Sequence, residues 1–75
     1  MARTNIEPNT IMKQKKRYRG DFNWYGEVHT VYLYVSSPKQ VFLLMCYKLA
    51  KKLNRTAQSV YNYFYKTDRY IIYED

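Results

Sequence analysis

From Thr30 onward the chain alternates: Val31, Leu33 and Val35 fall on one side, and Thr30, Tyr32 and Tyr34 on the other. A period of two marks a strand with one face buried. Residues 22–29 are also rich in aromatic and β-branched side chains, which suit a pleated surface, and Gly26 divides them. A short strand, a turn and a longer strand are expected. Ser36-Ser37-Pro38 then signals a helix start. A serine can cap free backbone N–H groups, and proline at the first helical position has no N–H to leave unpaired. The helical period carries on to about Leu53. It places Phe42, Cys46, Leu49 and Leu53 on one face, flanked by Leu43, Met45 and Ala50, with Gln40, Lys48, Lys51 and Lys52 opposite. Val41 and Leu44 interrupt the polar face and are candidates, with Tyr32 and Tyr34, for a partner-binding surface.

Asn54-Arg55 reads as a turn, because Asn tolerates the left-handed conformation that ends many helices. Thr56 caps a second helix over about 57–66 with Val60 and Phe64 inward. Arg69 to Tyr73 reads as a final strand that could pair with the 28–35 strand, within the chain or across a dimer. The expected fold is α+β, in the order β(β)-α-α-β, with a short antiparallel sheet and a helix pair.

The first twenty residues differ in kind. Residues 1–12 lack apolar periodicity, Lys13 to Arg19 form a basic run, and Gly20-Asp21 reads as a break. The expected organisation is a flexible basic arm over 1–20 and one folded unit over 21–75. The net charge is +7, of which +5 falls within residues 1–20. Positive charge at this density attracts polyanions and speeds encounter with them.

Seventy-five residues allow one domain. A core of that size rarely supplies more than about 3–5 kcal/mol without a staple. Cys46 is the only cysteine, so dense packing of ten Tyr, three Phe and Trp24, or self-association, must serve instead. A lone cysteine fits a reducing, cytoplasmic setting. No secretion leader is visible, and the longest apolar run, Val41 to Tyr47, is far short of the ~20 residues of a membrane span. One Cys and one His cannot build a zinc cluster. No paired carboxylates, Gly-rich phosphate loop or nucleophile–base spacing occurs, and His29 stands alone. A non-enzymatic protein without cofactor or metal is expected.

The segment from Leu49 to Phe64 resembles a helix-turn-helix DNA-binding motif. Ala50 is the small residue at the helix crossing. Leu49, Leu53, Val60 and Tyr63 flank the turn, Asn54 occupies it, and Thr56 caps the second helix. Arg55 departs from the pattern, which usually has an apolar residue after the turn. The resemblance implies that the second helix enters the major groove, with Thr56, Ala57, Gln58, Tyr61 and Asn62 toward base edges. It also implies Lys51, Lys52, Arg55 and Lys66 on phosphates, which fix register without reading sequence. Lys13, Lys15, Lys16, Arg17 and Arg19 of the arm would follow the backbone or a minor groove.

Duplex DNA is thus the favoured partner, for a small regulator of transcription. A strand followed at once by two helices also resembles ribbon-helix-helix repressors, dimers in which Thr30, Tyr32 and Tyr34 would read bases instead. A third reading has Tyr18, Tyr25, Tyr32 and Tyr34 stacking on unpaired bases of RNA or single strands. Finally, short, basic, Tyr- and Asn-rich chains look like phage-encoded proteins that bind and inhibit a host protein. Such a partner, or a second copy, would use Val41, Leu44, Tyr32 and Tyr34.

Overall fold

The computed structural model describes residues 15–75. The fold is α+β, in the order β-β-α-α-β. Strands β1 (Lys16–Trp24) and β2 (Glu27–Val35) form an antiparallel hairpin. A single 3-10 turn, Pro38–Gln40, leads into helix α1 (Val41–Leu53), followed by helix α2 (Ala57–Phe64) and strand β3 (Tyr70–Glu74). The sheet order is β2-β1-β3, antiparallel throughout.

Local chemistry accounts for most boundaries. The hairpin turns on Tyr25 and Gly26, both at positive φ (52° and 91°), as a two-residue type I′ turn requires. Ser37 Oγ accepts from Lys39 N at 3.4 Å and starts the 3-10 turn, so the α-helix proper begins at Val41, three residues after Pro38. Asn54, in the left-handed region at φ 59°, ends α1; its N–H and that of Arg55 return to carbonyls of the last turn, and Thr56 Oγ1 then accepts from Ser59 N at 3.2 Å. Helix α2 stops at Phe64, two residues before the expected end, because Tyr65 leaves helical geometry and Lys66 takes φ 60°.

Both helices lie on one face of the sheet. Phe22, Val31, Val41, Met45, Cys46, Leu49, Ala50, Val60 and Phe64 form the buried core. Phe22, at its centre, meets Phe64 edge-on at 5.0 Å and stacks on Tyr70 at 5.4 Å. Burial pushes the Cys46 thiol up to about 11, as suits a small core residue without reactive character.

Four expectations are corrected. The last strand pairs with β1, not with the 28–35 strand. The outer edge of β2 is occupied: Lys48 Nζ donates to the Tyr32 carbonyl at 2.8 Å and Lys52 Nζ reaches the Thr30 carbonyl at 3.5 Å, so α1 shields the edge that β3 would need. Second, Val41 is 4% exposed and belongs to the core, which removes it from the partner surface. Helix α1 is packed against both β2 and α2, so it buries more than the single face the wheel suggests. Third, Lys16, Arg17 and Arg19 lie within β1 instead of an arm, and Lys15 directly precedes it. Fourth, Gly20-Asp21 is no break but the middle of that strand. Gly20 is required there, because a Cβ would sit 2.5 Å from Met45 Sδ and 2.6 Å from Phe22 Cε1. Lys13 and the 1–12 segment lie outside the described residues.

Candidate nucleic-acid interface

The sheet pleat sorts the basic run. Lys16 points to the helix side, 3.7 Å from Glu74. Arg17 and Arg19 point to the open face, where Arg17 pairs with Asp75 and Arg19 with Asp21 at 3.2 Å. Their guanidinium groups also lie over the rings of Tyr32 and Tyr73, at 5.1 and 5.8 Å. Hydrogen bonding from Thr30 at 2.8 Å, with Arg19 adding to it, lowers the Asp21 carboxyl below its ordinary value. Hydrogen bonding to Tyr34, then the charge of Asp75, raises Arg17. The arginines expected to follow a nucleic-acid backbone are thus neutralised within the protein.

Apart from Lys15 and Arg69, the other cations among the described residues belong to the segment that carries the helices. Between Glu27 and Asp68 the chain has no acidic residue but six basic ones: Lys39, Lys48, Lys51, Lys52, Arg55 and Lys66. The other described residues, 15–27 and 68–75, hold five basic and five acidic side chains. The described protein is therefore polarised, with its whole net positive charge on the segment that builds β2, the helices and the turn after α2. Lys51 and Arg55 are exposed around the α1–α2 turn. Lys48 and Lys52 are exposed but lean on the β2 edge, and Lys66 lies past α2 with Nζ 5.6 Å from the Tyr65 ring.

The candidate reading residues on α2 divide. Thr56, Gln58 and Asn62 are exposed. Gln58 Nε2 donates to Asn62 Oδ1 at 3.0 Å, one helical turn on. That bond orients both amides and leaves Gln58 its Oε1 and a second N–H, the pair needed for a bidentate adenine contact. Ala57 and Tyr61 do not join them. Both are half-buried against the core, and Tyr61 lies between Phe42 (5.4 Å) and Tyr65 (5.0 Å). They fill the gap between the two helices, and burial raises the Tyr61 hydroxyl. Ser59 was missed by sequence reasoning. Its Oγ donates to the Thr56 carbonyl at 2.8 Å and its side chain lines the concavity beside Asn54, Arg55 and Thr56.

Of the partner-surface candidates, Tyr32 and Tyr34 stand on the open sheet face, whereas Leu44 is half-buried on the helix side, in a concavity it shares with Tyr34, Lys39 and Gln40. Among the described residues no group of three metal-binding side chains occurs, and no helix is long and apolar enough to cross a membrane. No family model matches the chain, and neither the curated proteins nor the solved structures contain a significant match to it.

Proposed function

We propose that the protein binds double-stranded DNA through its helical layer, with α2 presented to the major groove, and acts as a small regulator of transcription. The observation that carries this reading is the charge polarity: a segment from 28 to 67, which holds both helices, has six basic and no acidic residues, against other described residues that sum to zero. A three-residue turn, Asn54-Arg55-Thr56, joins the helices, the length typical of a helix-turn-helix unit. Thr56, Gln58 and Asn62 take the base edges. Lys51, Lys52 and Arg55 take phosphates beside them, with Lys66 at the far end of α2.

Fluorescence anisotropy with labelled duplex DNA, single-stranded DNA and duplex RNA over a salt series tests it. Four phosphate contacts on duplex DNA predict a log–log salt slope of about −3.6. Preference for single strands, or no binding near physiological salt, overturns the duplex reading.

A second reading, docking of a protein partner as in a host-directed inhibitor, is favoured by the open sheet face. Val28, Tyr32, Tyr34, Ile71 and Tyr73, five of the eight exposed large apolar side chains, stand there together. Aromatic residues and arginine are the side chains enriched in protein interfaces.

A further inference from the structure

We propose that Tyr25, at the tip of the β1–β2 hairpin, is a stacking platform for an unpaired nucleobase, in a cleft whose polar wall is supplied by the start of α2. The proposal rests on the nucleic-acid reading above and adds to it the class of base that this part of the surface takes.

The backbone comes first. The leading position of a type I′ turn needs positive φ and is best filled by Asn, Asp or Gly. Here an aromatic residue holds it at φ 52°. For a bulky side chain that conformation is an outlier, and such strain persists where the surroundings enforce it, commonly at functional positions. The turn does not need the ring for closure, since Asn23 Oδ1 already accepts from Gly26 N at 2.7 Å. Nor does the ring fill the core. At 73% exposure Tyr25 is the most exposed of the large apolar side chains described.

The ring is nevertheless held in place. It stacks on Tyr63 at 4.6 Å with 29° between the planes, and it meets Trp24 edge-on at 4.9 Å. The Tyr63 hydroxyl accepts from Tyr25 N at 3.3 Å, and the Arg69 guanidinium lies 4.9 Å from the Tyr63 ring. A supported, largely solvent-exposed aromatic surface is what a stacking base needs.

The neighbours supply the rest. Trp24, Tyr25 and Tyr63 line one cleft together with Arg55, Ser59 and Asn62. Asn62 offers a carboxamide with both donor and acceptor for a base edge, Ser59 a hydroxyl, and Arg55 a cation for the adjoining phosphate. No carboxylate lines the cleft. A paired base inside a duplex is stacked on both faces and cannot reach the ring. The ligand class is therefore a base already out of its stack within a duplex, as at a bulge or an unpaired position.

Tyr25→Asn tests this, because Asn-Gly suits the turn and keeps the fold. The probes are a fully paired duplex and the same duplex carrying one unpaired 2-aminopurine, at one salt concentration. The wild type is expected to bind the bulged duplex about tenfold more tightly, since a base stacked on the ring adds affinity that a paired base cannot, and to quench 2-aminopurine emission. Tyr25→Asn is expected to lose both effects while matching the wild type on the paired duplex, and Tyr25→Phe to retain both. Equal wild-type affinity for the two duplexes, or a preference that survives Tyr25→Asn, overturns the stacking role and leaves the helical reading intact. Absence of binding to either duplex overturns both.

Discussion

The two sides of the molecule use arginine and lysine in opposite ways. On the open sheet face each arginine has a carboxylate: Arg17 with Asp75, Arg19 with Asp21, and each guanidinium also covers a tyrosine ring. On the helical side Lys51 and Arg55 stand exposed, with no acidic residue in the forty positions between Glu27 and Asp68. Equal numbers of cations would say nothing about this difference. What a polyanion meets is the charge left after internal pairing, and most of that charge lies on the segment that carries the helices.

The largest effect should come from reversing that unpaired charge. Lys51→Glu with Arg55→Glu is expected to weaken duplex binding about a hundredfold near physiological salt, with the salt slope shallower by about two. Tyr32→Ala with Tyr34→Ala, on the other face, is expected to change it less than about twofold, and a protein partner would instead be lost with these tyrosines. A larger loss from the tyrosines than from the charge reversal would invert the comparison and return the sheet face to nucleic-acid binding.

Within β1 the comparison can be made between neighbouring residues. Gly20 faces the helices and Asp21 the open side. Gly20→Ala forces its Cβ against Met45 and Phe22, which cannot both retreat inside a packed core. Overpacking of this kind costs about 1–3 kcal/mol, a large share of the stability available to a domain of this size. Urea denaturation of Gly20→Ala beside Asp21→Ala should show the glycine variant as the less stable. The reverse order would mean that α1 packs less closely on β1 than the distances at Gly20 require.

How far this was legible from the sequence depends on the range of the signal. Ser37, Pro38, Asn54 and Thr56 act on the backbone within a few residues, and the elements they delimit are where their chemistry puts them. Val31, Leu33 and Val35 alternate with Thr30, Tyr32 and Tyr34 because one sheet face is covered and the other bare. The strand in Lys16–Arg19 was not legible. Lysine and arginine rarely favour a strand, and what makes one here is pairing with Tyr32–Val35 and, for Arg19, with Tyr73, more than fifty residues away. The burial of Val41 follows likewise from the packing of α1 between β2 and α2. In the candidate interface, residue types marked Thr56, Gln58 and Asn62. That Ala57 and Tyr61 turn inward, and that Tyr25 and Ser59 border the same cleft, depends on where the hairpin tip meets α2.

The smallest effect concerns the neutrality of the open face. Asp21 accepts from Thr30 and pairs with Arg19, and these contacts lower its carboxyl from the ordinary 3.8. A carboxyl that is more acidic folded than unfolded stabilises the fold above the ordinary value, and that contribution is lost as pH falls below it through the lowered one. Stability should therefore decline over this acid range in part through Asp21. In Asp21→Asn the amide can still accept from Thr30, but it no longer titrates. Chemical denaturation at neutral pH and across the acid range should give the variant a shallower decline than the wild type. Removing the carboxylate also leaves Arg19 without its partner, so the open face gains one unit of positive charge. Affinity for duplex DNA should then rise slightly if nucleic acid can reach that face, and stay unchanged if binding is confined to the helical side. An unchanged affinity with a flattened acid limb would show that Asp21 serves the fold and that the polarity of the molecule, more than its total charge, directs where a polyanion binds.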